Sequence, residues 1–164
     1  MNCKKRVLLL LLAGVGLATY ACTGKAEQRR QEMPVAETDS TTTGEVIVMD
    51  KTMFLKQICD YEHSPEWKYL GTKPAIIDLY ADWCGPCRMV APIMKELAKE
   101  YAGEIVIYKV NVDKEQELAA LFNASSIPLF VFIPLGEMPQ LFRGAADKAT
   151  YKRAIDEFLL KKKP

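Results

Sequence analysis

Residues 74–80, Pro-Ala-Ile-Ile-Asp-Leu-Tyr, form a near-continuous apolar run broken once, by the carboxylate of Asp78. A run without polar alternation fits a strand covered on both faces, so the sheet that holds it needs helices on either side. Shortly downstream, residues 84–101 read as a long amphipathic helix, with a kink at Pro92, where the ring removes a backbone donor. A buried strand leading directly into such a helix restricts the chain to α/β architectures.

The remaining pattern agrees. Val46, Ile47, Val48 and Met49 suit a short strand, and Asp50 suits the N-cap of a helix that places Phe54, Leu55, Ile58 and Cys59 near one face. A polar and aromatic connection, residues 60–73, leads to the buried run. Strands are expected at 105–112 and 129–133 around a helix at 115–122, followed by a turn at Gly136 and a strand at 140–143. Asp147 should cap a final helix, which closes on Lys161, Lys162 and Lys163, cations that complement its C-terminal dipole. The expectation is an α/β sandwich around a mixed sheet of about five strands, in one domain at 46–164.

The N-terminal residues carry an address. Lys4, Lys5 and Arg6 precede an apolar stretch at 7–18, of the length of a signal-peptide core and short of the roughly 18 residues of a spanning helix. Residues 1–21 read as an export signal, and Ala21-Cys22 resembles the processing point of a bacterial lipoprotein, at which Cys22 would receive the lipid. Thr19 stands where that signal usually has Leu. Cleavage after Thr19-Tyr20-Ala21 to a soluble form and an uncleaved anchor are the competing fates, and all three place the rest of the chain outside the cytoplasm. Residues 22–45 are rich in polar side chains and without aromatics beyond the signal, so they read as a tether between anchor and domain. Beyond the signal, 19 basic side chains face 21 acidic ones, which leaves no basic excess to hold nucleic acid. Five cysteines are too few for a disulfide-stapled scaffold.

The chemistry is concentrated where strand meets helix, at Trp83-Cys84-Gly85-Pro86-Cys87. Two cysteines three residues apart at a helix start face the same way, within reach of a disulfide. The free backbone N–H groups there favour a thiolate, which makes Cys84 the nucleophile, and Pro86 falls in the turn where its missing N–H costs nothing. Half a zinc site would look the same; it would need two more ligands, and Cys59 and His63 are the candidates, without the spacing of a second pair. A lone Cys59 on an apolar helix face reads as packing, with a regulatory disulfide as the alternative, and His63 as an exposed loop residue.

At these residues the sequence resembles the thioredoxin family. The likeness covers most of 46–160 and includes the whole Trp-Cys-Gly-Pro-Cys run, Asp78 six residues before Cys84, Pro92, Lys109, Ile127-Pro128 and Gly144. Tyr80, Leu129 and the long connection at 60–73 depart from the usual pattern. The resemblance implies a thioredoxin fold and a Cys84–Cys87 redox disulfide, with no other cofactor. Cys84 would be the attacking and Cys87 the resolving thiol. It implies Asp78 as proton acceptor for Cys87, with Lys109 as its partner. It also implies a cis Ile127–Pro128 bond beside the cysteines, and a docking surface rimmed by Trp83 and Gly144. A carboxyl in an apolar strand should have a raised pKa, which suits an acceptor. The expected activity is reduction or isomerisation of disulfides in envelope proteins, with electrons from a membrane thiol donor. An oxidase running the same residues in reverse, and a non-catalytic adaptor, are the other readings. An adaptor needs neither the cysteine pair nor Asp78.

Overall fold

The computed structural model describes residues 44–162. The export signal at 1–21, Cys22, nearly all of the tether at 22–45 and Lys163 lie outside the described residues.

Five strands form one sheet in the order β1-β3-β2-β4-β5: β1 Val46–Val48, β2 Ala75–Tyr80, β3 Val106–Asn111, β4 Leu129–Ile133 and β5 Gln140–Arg143. The first three strands are mutually parallel, with β3 paired to both β1 and β2; β4 runs antiparallel to β2 and to β5. This is the mixed sheet expected from the sequence. Four helices surround it: α1 Lys51–Gln57, α2 Gly85–Glu100, α3 Gln116–Leu121 and α4 Lys148–Ala154. The Asp50 side chain accepts from Met53 N–H and caps α1, and Asp147 accepts from Thr150 N–H and caps α4, both as anticipated. Helix α4 does not continue as a regular helix; residues Ile155–Leu159 form a wider π-helical turn. Helix α2 runs through Pro92 to Glu100. No helix among the described residues is long and apolar enough to cross a membrane.

Because side chains alternate across a strand, β2 serves two cores. Ala75, Ile77 and Leu79 join Phe54, Ile58 and Leu118 on the side of α1 and α3. Ile76 joins Val90, Met94, Leu97, Phe130 and Tyr151 on the side of α2 and α4. By the same alternation Asp78 belongs with Ile76, on the side of α2. Its register partners are Lys109 on β3 and Phe130 on β4. The sheet therefore holds a carboxylate within its centre, a few residues ahead of the cysteines.

Candidate active site

Strand β2 ends at Tyr80, and Ala81-Asp82-Trp83 turn the chain into α2, so the cysteines stand past the C-terminal end of the parallel strands. Cys84 is the N-cap of α2 and Cys87 lies in its first turn, with Pro86 between them at a position that donates no hydrogen bond. The two are joined in a disulfide with their Cα atoms 5.3 Å apart. Cys87 N–H donates to Cys84 Sγ at 3.2 Å. That contact, added to the helix N-terminus, places positive field at the sulfur, the arrangement that lowers a thiol pKa. Both cysteines are nearly buried, at 4% and 3% exposure, and pack with Ala81, Tyr80, Val112 and Ile127. Space beside Gly85 is open.

Asp78 is 5% exposed, and Oδ1 has no hydrogen-bond partner among the described residues. Burial pushes its carboxyl up to about 7, with the nearby Lys109 charge offsetting part of the cost. Lys109 faces Asp78 in register but closes no salt bridge with it; its Nζ stands 5.5 Å from the centroid of the Tyr80 ring. The partnership expected from the sequence is thus one of charge at a distance, without contact. Asp78 also borders a cavity of about 320 Å³ under α2, whose wall carries Lys95, Lys99 and Lys109.

The Ile127–Pro128 peptide is cis. Pro128 O accepts from Gly144 N–H at 2.9 Å, and Gly144 has φ +91°, a conformation that explains a glycine at this point. One hydrogen bond therefore ties the Ile127-Pro128 loop to the end of β5. Trp83 is 68% exposed, and its indole N–H donates to Asp113 Oδ2 at 3.0 Å. Asp113 N–H in turn donates to the buried Asn111 side chain, and Asn111 Nδ2 reaches Asp82 at 3.4 Å. Arg88 donates to the Asp82 carbonyl. Asp82, Asn111 and Asp113 thus hold the Trp83 rim, a role that sequence reading did not assign to them. The only hint was the place of Asn111 and Asp113 at the strand end that follows Lys109.

Cys59 is a free thiol buried in the other core, and His63 is an exposed residue whose ring lies 2.9 Å from the Asp60 carboxylate, which raises its pKa. Neither stands with Cys84 and Cys87. Among the described residues no three His, Cys, Asp or Glu side chains are grouped to hold a metal.

A family model described as Thioredoxin matches residues 46–157. The chain belongs to the thioredoxin family. It is 39% identical over 105 residues to a thioredoxin of Borreliella burgdorferi, a match spanning 64% of this chain and 90% of that protein. To a chloroplastic M-type thioredoxin of Spinacia oleracea it is 36% identical over 116 residues, 69% of this chain and 64% of the relative. Among solved structures, a single-site mutant of a thioredoxin from Halobacterium salinarum superposes with a TM-score of 0.57 at 26% identity, covering 71% of this chain and 92% of the other. As a thioredoxin with its cysteine pair at disulfide distance, the protein is a thiol–disulfide oxidoreductase.

Proposed function

We propose that this thioredoxin is an exported protein of the bacterial cell envelope, held to the membrane through lipid on Cys22, that reduces or isomerises protein disulfides. The observation that carries the chemistry is the pairing of Cys84 Sγ, which accepts the Cys87 N–H at the start of α2, with an unpartnered buried carboxyl oxygen on the strand that leads there. The Cys84 thiolate attacks one sulfur of a substrate disulfide. A Cys84–substrate bond forms, and the other substrate sulfur leaves as thiolate. Asp78 then takes the Cys87 proton, directly or through water in the adjoining cavity. The Cys87 thiolate attacks Cys84 Sγ, which releases the second substrate thiolate and forms the Cys84–Cys87 disulfide. Substrate loses its disulfide and the protein gains one. A donor dithiol in the membrane restores the pair and is itself oxidised.

Ile127, Pro128, Gly144 and Trp83 frame the surface on which an extended substrate segment would lie, with the Ile127 backbone available for hydrogen bonding. The envelope assignment is supported by the sequence of residues 1–22 and the polar tether behind them.

The reduction potential of the purified protein tests the direction. A value near about −270 mV, characteristic of thioredoxins, supports a reductase, whereas one near about −120 mV belongs to a strong oxidase and would overturn that direction. Separately, Cys22→Ala should remove the protein from the membrane fraction or block its processing. Unchanged fractionation, with no lipid on the mature N-terminus by mass spectrometry, removes the anchor.

A further inference from the structure

We propose that the end of the domain opposite the disulfide docks on an anionic lipid surface, so that the Cys84–Cys87 rim faces away from the membrane. This rests on the lipid anchor argued above and adds an orientation to it. Strands β1, β2 and β3 all begin at one end of the sheet, where Val46 pairs with Ile107 and Ala75 with Val106. Antiparallel β4 finishes at that end, with Ile133 opposite Ala75. The disulfide follows the other end of β2. The chain from Cys22 joins the described residues at Gly44, two residues before β1, and so meets the domain at the end away from the disulfide. The 22 residues from Cys22 to Gly44 reach at most roughly 75 Å, which bounds how far this end can stand from lipid once Cys22 is anchored.

The surface at that end has the composition of a headgroup contact. Two adjoining grooves share Tyr69 and Gly71; one holds Lys56, Leu70 and Lys73, the other Trp67, Lys68, Leu135 and Met138. Leu70, Leu135 and Met138 are 41%, 49% and 66% exposed, large apolar side chains that water disfavours. Lys56, Lys68 and Lys73 form no ion pair among the described residues, while Glu137, the acid in the second groove, is engaged by Lys161 at 3.1 Å. Apolar tips flanked by lysines without an ion pair suit acyl chains under anionic headgroups, while Trp67 and Tyr69 pack inward against the core and form the floor of the surface. The surface is also preformed. Tyr69 hydroxyl donates to the Lys73 carbonyl at 2.6 Å, and its ring lies where a side chain at Gly71 would otherwise sit.

The test uses the full-length protein reconstituted into vesicles of phosphatidylglycerol and phosphatidylethanolamine, or of phosphatidylcholine alone, read by hydrogen exchange. Backbone amides at 67–73 and 135–138 should exchange several-fold more slowly on the anionic vesicles, with no change at 82–88. Replacing Lys56, Lys68 and Lys73 together by Glu should restore fast exchange while leaving disulfide reduction in solution at the wild-type rate. Equal exchange of both segments on the two vesicle types would overturn the docked face, as would protection that grows with protein concentration in the absence of vesicles, the mark of a second copy. Mass spectrometry of the same sample reads lipid on Cys22. Its absence overturns the anchor alone, and its presence with unprotected segments overturns the docking alone.

Discussion

Ile77 and Asp78 are neighbours on β2 with almost the same exposure, 0% and 5%, but they belong to different cores. Ile77 packs among aliphatic and aromatic side chains under α1 and α3. Asp78 occupies the equivalent depth under α2, where its neighbours on that face, Ile76 and Phe130, are apolar and one of its oxygens has no partner. One face of the strand is built for stability alone. The other gives up stability at a single position, and that position lies on the side of the helix that carries the cysteines. The same contrast separates the thiols. Cys59, Cys84 and Cys87 are equally buried, at 3–4%, yet only the latter two stand at a helix N-terminus, where the Cys87 N–H donates to Cys84 Sγ. Burial does not set reactivity here; the backbone field and the partner do.

A carboxylate placed on the apolar face should cost the domain most. Ile77→Asp would bury an acid with no cavity and no lysine in register, since its partners are Tyr108 and Val131. A penalty of several kcal/mol is expected, enough to prevent folding of a domain of ordinary stability, as read by soluble yield and circular dichroism.

Removing the charge from the other face should do the opposite, with a pH signature. With the folded carboxyl at about 7 against an ordinary 3.8, the native state binds more protons than the unfolded chain between those values. Stability from this group is therefore fully present below about pH 4 and falls as pH rises towards 7, by on the order of 4 kcal/mol. Urea unfolding of Asp78→Asn across that range should lack this decline, and its advantage over wild type should be greatest above pH 7. Parallel curves for the two proteins would mean that Asp78 is already ionised and solvated in the fold.

Cys59→Ala sharpens the contrast between the thiols. A loss of about 1 kcal/mol in unfolding free energy is expected from the vacated space, with disulfide reduction unchanged. A fall in reduction rate would give Cys59 a redox role after all.

Much of this was legible in the sequence, because the strongest local signals coincide with the buried elements. The apolar runs at β2 and β4 and the capping side chains of Asp50 and Asp147 name their elements directly. Trp83 to Cys87 marks the site because its chemistry lies within one turn of chain. What was not legible depends on distance across the fold. Whether Lys109 touches Asp78 is decided by where its side chain ends, over Tyr80, and not by register. The hydrogen bond from Trp83 to Asp113 spans 30 residues, and that from Gly144 to Pro128 spans 16; neither leaves a periodic trace. The π-helical turn at Ile155–Leu159 likewise preserves an apolar pattern that reads as ordinary helix.

In the proposed mechanism the unfavourable burial of Asp78 serves the release step, by taking the proton from Cys87. Stopped-flow reduction of a model disulfide, wild type against Asp78→Asn from pH 5 to 9, separates attack by Cys84 from resolution by Cys87. The variant should match wild type in the first step. Its resolution should be slow near neutral pH and recover as pH rises, where hydroxide takes over removal of the Cys87 proton. Wild-type resolution rates in Asp78→Asn at every pH would contradict proton transfer from Cys87 to Asp78 and leave Asp78 a structural cost without a catalytic role.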